Sequence, residues 1–105
     1  MSLDITLVHD GETVWEGNIT HNLAEMADRA GMYSAMWRPD ELSYTPRGAL
    51  EDVRAGINLM LGDRKRFERL NPTNGWGNFD TLLEFACEYA RALSRWPYAT
   101  VKVSR

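Results

Sequence analysis

The sequence predicts an α+β domain: a small three-stranded antiparallel sheet, made of an N-terminal β-hairpin plus a C-terminal strand, packed with three α-helices. Three observations carry this expectation. Alternating residues flank Asp10 and Gly11 near the start, two stretches of helical period stand behind good N-caps, and the chain ends on another alternating run. Strands at both ends with helices between them place the helices on one face of an antiparallel sheet.

The hairpin comes first. Ile5 to Val8 and Thr13 to Glu16 alternate around Asp10 and Gly11, a pair suited to a two-residue type I′ turn because both central positions need positive φ. This predicts a hairpin over about residues 4–18. Asn22 and Glu25 then read as a capping box, Asn22 accepting from first-turn amides and Glu25 reaching back. Leu23, Met26, Ala27 and Ala30 follow at helical spacing, and Gly31 is placed to stop the helix in the left-handed conformation. Helix one is therefore expected over 22–30. Residues 31–45 show no clean period and read as a connector packing through Tyr33, Met36 and Trp37.

Thr45 and Pro46 supply an N-cap followed by proline at the first helical position, where its missing donor costs nothing. Leu50, Val53, Ile57, Met60 and Leu61 form the expected buried stripe and Gly62 the stop, which predicts helix two over 46–61. Asp63 is placed to cap a short basic turn ending at Leu70. Asn71 to Asn78, with two glycines, a proline and three asparagines, is the clearest loop in the chain. Asn78 is expected to cap helix three, over 79–95, whose stripe of Phe79, Leu82, Leu83, Ala86, Tyr89, Ala90 and Leu93 is the strongest in the sequence. Pro97 ends it. Tyr98 to Ser104 alternates as a strand whose available partner is the hairpin.

A length of 105 residues suits one domain, residues 1–105, with one core. With 44% hydrophobic and 26% charged residues, a packed core is expected rather than disorder or a fibrous repeat. No apolar run approaches the roughly 18 residues that span a bilayer, and the N-terminus lacks the regions of a signal peptide. A cytoplasmic protein with no membrane partner is the expectation. The single cysteine, Cys87, excludes an internal disulfide and leaves no second thiol for a metal knuckle. Net charge is −3, split between a net −6 over residues 1–45 and a net +3 over 46–105. Such halves can complement each other within one fold or across a homo-oligomer. A pI near 5.3 opposes binding to a phosphate backbone, so nucleic acid is not an expected partner.

Two polar places carry the candidate chemistry. Asn18, Thr20, His21 and Asn22 lie where strand two passes into helix one, beside backbone amides and a positive helix end that suit a phosphate, a carboxylate or a strong hydrogen-bonding ligand. Asn74, Trp76 and Asn78 lie in the loop before helix three, where glycines on both sides of Trp76 let backbone approach a partner while the indole offers flat area. These seven residues are the candidate ligand-binding set, and the two places are expected to form one surface. The plainer reading is that the asparagines and Thr20 cap and turn the chain while Trp76 folds back over helix three. His21 has the chemistry of a general acid or base, but no motif supplies an orienting carboxylate or a nucleophile. No catalytic residue, metal ligand set or cofactor is assigned. Arg64, Lys65, Arg66 and Arg69, diluted by Asp63 and Glu68, read as a solvated face.

Residues 18–23 (Asn-Ile-Thr-His-Asn-Leu) with Met26 and Ala27, Gly31 to Tyr33, Trp37 to Pro39, Phe67 with Asn71 and Pro72, Asn74 to Gly77, and Val101 to Arg105 together cover most of the chain. In that order they resemble a family of small phage- and prophage-borne proteins of about this length. The resemblance implies a phage or mobile-element setting and no particular catalytic residue. Small proteins of that setting commonly act by binding, either blocking a host protein or sequestering a small host molecule. The expected function is therefore a non-enzymatic accessory protein that binds a small polar or anionic ligand or a host protein. The alternatives are a small hydrolase or transferase centred on His21, and a structural or assembly component.

Overall fold

Asp10 and Gly11 take φ of 51° and 80°, the paired positive values of a two-residue hairpin turn, and they join β1 (Ser2–His9) to β2 (Glu12–Thr20). The computed structural model describes all 105 residues. The hairpin extends two residues further at each end than the alternation predicts. Its register runs from His9 opposite Glu12 to Ser2 opposite Thr20, with one irregularity: Leu7 faces Trp15 while Val8 faces Thr13, so Val14 is an extra residue, a β-bulge. The last strand, β3 (Thr100–Ser104), pairs antiparallel with β1, giving the order β2-β1-β3. The sheet is the predicted one, with β1 at its centre.

Leu3, Ile5 and Leu7 of β1 are fully buried, and their cross-strand partners Ile19, Gly17, Trp15, Val103 and Val101 share that inner face. Asp4, Thr6, Glu16, Asn18, Lys102 and Ser104 take the outer face by the same alternation. The inner face meets α1 (Ala24–Arg29), α2 (Tyr33–Trp37), α3 (Pro46–Gly62), α4 (Arg64–Glu68) and α5 (Phe79–Arg95) around one cluster of 25 buried hydrophobic residues. No side-chain nitrogen or oxygen is buried without a hydrogen-bond partner. None of the helices is long and apolar enough to cross a membrane.

The two long helices fall where periodicity and capping place them. Asn78 caps α5 by accepting from Thr81 N at 3.1 Å, and Thr81 Oγ1 accepts in return from Asn78 N at 3.2 Å. The buried face of α5 includes Phe85, which was not in the expected stripe, and Tyr89, whose hydroxyl donates to Ala35 O at 2.9 Å. Burial pushes the Tyr89 phenol well above its ordinary range. Thr45 Oγ1 accepts from Gly48 N at 3.1 Å and Pro46 stands at the helix start, as expected of α3.

Four local expectations are corrected. The buried face of α3 is Pro46, Ala49, Val53, Gly56 and Met60, while Leu61 is 60% exposed and Leu50 and Ile57 are half-buried. Small residues at 49 and 56 bring the helix close to its neighbours, so burial rotates toward them rather than toward the bulkier leucines. Gly62 belongs to the helix, and the next residue, Asp63, ends it by donating N–H to Leu59 O at 3.1 Å, with no side-chain cap from Asp63 to α4. Helix one is a 3₁₀ turn, His21–Leu23, followed by the six residues of α1, and its cap is Thr20, not Asn22. Thr20 Oγ1 accepts from Asn22 N at 3.3 Å, and Glu25 pairs with Arg29 at 3.7 Å instead of reaching back. Gly31, at φ 78°, does close that segment as expected. The connector holds the short helix α2, whose consecutive buried Ala35, Met36 and Trp37 leave no period to read.

Candidate functional site

The strand-to-helix junction and the Asn-Gly-rich loop are in contact. Asn71 Oδ1 accepts from Phe79 N at 2.8 Å, which fastens the start of the loop to the start of α5. Asn74 Oδ1 accepts from Trp76 N at 3.0 Å, an Asx turn that sets the loop tip. Gly77, at φ 86°, then lays backbone against the junction so closely that a Cβ would fall 2.9 Å from Leu23 Cδ1 and 3.1 Å from Thr20 Cγ2. Glycine is required there for both reasons.

This contact leaves a cleft of about 440 Å³ whose walls include Ser2, Asn18, Thr20, Asn22, Asn74 and Trp76. Trp76 stands 68% exposed over it, so the indole does not fold back as a plug on α5. Asn18 points outward from β2, and its Nδ2 donates to Ser2 Oγ at 2.9 Å and to Asp4 Oδ1 at 2.7 Å across the ladder. Asn22 Nδ2 donates to Thr20 Oγ1 at 3.2 Å. Those bonds orient the side chains and leave Asn18 Oδ1, Asn22 Oδ1 and Asn74 Nδ2 without a hydrogen-bond partner in the chain: two acceptors and a two-proton donor in a cleft that an indole also lines. The junction amides are engaged within the chain, His21 N with Met1 O at 3.2 Å and Asn22 N with Thr20 Oγ1. No lysine or arginine lines the cleft, and Asp4 adjoins it through Asn18. The lining suits an uncharged hydrogen-bonding molecule better than an anion.

Five of the seven candidate residues thus share one cleft. The other two do not. Asn78 spends its side chain on the α5 cap. His21 does not line the cleft: its Nδ1 accepts from Nε1 of the buried Trp37 at 2.8 Å. Trp37 is held in turn by Tyr33, stacked at 5.6 Å and 3° between planes, and by Arg105, which donates to Trp37 O at 3.0 Å and to Asp40 Oδ1 at 2.8 Å. The hydrogen bond from Arg105 holds the Asp40 carboxyl below its ordinary value. His21 is therefore part of an aromatic brace behind the junction.

Ser2 and Asp4 belong to the cleft's surroundings and were missed, because only the strand register brings them beside Asn18. No three His, Cys, Asp or Glu side chains converge as a metal-ligand set. No family model matches the chain, and no curated protein or solved structure matches it either.

Proposed function

We propose that this chain is a binding protein of the phage accessory kind, which holds a small uncharged polar ligand in the cleft beneath Trp76. One observation carries the reading: amide and hydroxyl groups from β1, β2, the 3₁₀ turn and the loop before α5 converge on one hollow roofed by an exposed indole. A flat ring can stack on the indole while its polar substituents meet the asparagine amides, which is how a mostly neutral site fixes orientation. The phage setting comes from the resemblance of residues 18–23, 37–39 and 71–77 to that family. A hydrolase or transferase centred on His21 draws no support from a cleft that His21 does not line.

The test is affinity capture from a bacterial host lysate with mass spectrometry of co-purifying small molecules, run on wild type, Trp76→Ala, Asn18→Ala and Arg66→Ala. An uncharged small molecule is expected with wild type and Arg66→Ala and should be lost from the other two, each checked for folding by thermal unfolding. Equal retention by a folded Trp76→Ala variant defeats the reading. Recovery of a host protein alone would replace the small ligand with a macromolecular partner.

A further inference from the structure

A second hollow, of about 620 Å³, lies between α3 and α5, and its walls include Arg54, Ile57, Ala90, Arg91, Ser94 and Arg95. Three exposed arginine side chains therefore line one shallow hollow of a chain whose net charge is −3. None of the three is paired: the arginines within 4 Å of a carboxylate are Arg29, Arg38, Arg64 and Arg105. Arg91 and Arg95 are four apart on one helix, a like-charge spacing that destabilises an isolated helix, and Arg54 adds a third positive charge from the facing helix. Glu51 and Glu88 stand three residues before Arg54 and Arg91 on their helices and form no ion pair with them, and Asp52, two before Arg54, accepts from the Tyr44 hydroxyl. Glu88 lines the adjoining hollow with Trp15 and Trp96 on the other side of the Arg91 and Arg95 ridge.

We propose that this groove binds the phosphate or pyrophosphate group of a small ligand. A guanidinium presents a planar fork that matches phosphate oxygens two at a time, and several forks around one hollow can engage a single anion together. The Ser94 hydroxyl adds a neutral donor, and Arg95, whose guanidinium lies 5.6 Å from the ring centre of Trp96 in the adjoining hollow, is shared between the two hollows. The floor of Ile57 and Ala90 suits an apolar or aromatic portion of the same molecule, and the volume lies within the usual range for small-molecule sites. The site is independent of the cleft beneath Trp76. It also differs from the basic stretch on α4, where Arg64 is already bridged to Asp80 at 2.7 Å.

Isothermal titration with inorganic pyrophosphate at low salt tests it, comparing wild type with Arg54→Ala, Arg91→Ala, Arg91→Lys and Arg66→Ala. Saturable binding of one pyrophosphate per chain is expected, weakened about tenfold or more by either groove alanine, partly retained by Arg91→Lys, and unchanged by Arg66→Ala. Absence of pyrophosphate binding to wild type overturns the proposal, as does an equal loss with Arg66→Ala, which would mark binding to net charge alone. A parallel titration with a single-stranded oligonucleotide separates sources: binding of that probe without pyrophosphate binding would make nucleic acid the occupant and also overturn it.

Discussion

The cleft beneath Trp76 and the groove between α3 and α5 are comparable in size, at about 440 and 620 Å³, yet they are held in opposite ways. In the cleft the polar side chains are tied to one another: Asn18 to Ser2 and Asp4, Asn22 to Thr20, Asn74 to the backbone of Trp76. In the groove three exposed arginines line one hollow with no carboxylate within ion-pair distance. A surface of the first kind is organised by the fold itself, so damage to its supports lowers stability together with any binding there. A surface of the second kind keeps its strongest interactions unmade, so its substitutions change binding while leaving the fold intact or slightly better.

The largest expected effect separates these two behaviours. Gly77→Ala places a Cβ against Leu23 and Thr20 at a positive φ and is expected to destabilise by about 2–3 kcal/mol, measured by urea unfolding. The same variant should lose ligand at the cleft while binding pyrophosphate normally. Equal damage to both sites would show that they are not independent. His21→Ala comes next. It leaves the buried Trp37 Nε1 without an acceptor and is expected to cost about 1–2 kcal/mol, without a specific loss of cleft binding at temperatures where the variant is folded. A binding defect in a fully folded His21→Ala protein would return the imidazole to the site.

Arg91→Ala should act with the opposite sign. Removing one of two like charges four residues apart is expected to stabilise by roughly 0.2–0.5 kcal/mol at low salt, with the gain fading as salt is added. A salt-independent loss of stability would mean that the arginine serves packing rather than a ligand. The smallest effect concerns the Arg105 clasp. Because the Asp40 carboxyl is held below its ordinary 3.8 in the fold, its contribution is present above that value and is lost as pH falls through the lower folded one. Wild type and Asp40→Asn should therefore differ slightly in thermal stability near neutrality and converge in strong acid. A difference that persists in strong acid would assign the effect to something other than that carboxylate.

The same contrast explains what could be read from the chain beforehand. Asn18, Thr20 and Asn22 are near neighbours in sequence, and Asn74 and Trp76 sit in a loop marked by its glycines, so the cleft's residues were recognisable by type and position. Their convergence could also be anticipated, because both stretches precede a helix start. His21 was misplaced because nothing local distinguishes an imidazole turned toward Trp37, sixteen residues on, from one turned toward Asn22. Arg54, Arg91 and Arg95 were invisible as a group: two lie on α5 and one on α3, and only the packing of those helices brings them together. The helices at 46–62 and 79–95 were legible from caps and period, whereas α2 was not, since all of its last three residues are buried and an amphipathic pattern needs an exposed side.

The bulge at Val14 has a consequence for chain length. Counting straight back from the turn, Asn18 would oppose Leu3 and point into the core, and it is the unpaired Val14 that puts it opposite Asp4 instead. The strand therefore carries one residue more than its ladder uses. A protein lacking Val14 can keep every remaining pair from Ser2 with Thr20 to His9 with Glu12, so that deletion is expected to fold with Asn18 still facing outward. A residue inserted after Trp15 has no such slack to absorb it: either a second irregularity forms, or the half of β2 beyond it reverses its faces and drives Asn18 into the core opposite Leu3. Near this surface the hairpin should tolerate shortening by one and resist lengthening by one, and a pair of such variants compared by thermal unfolding would show that asymmetry directly.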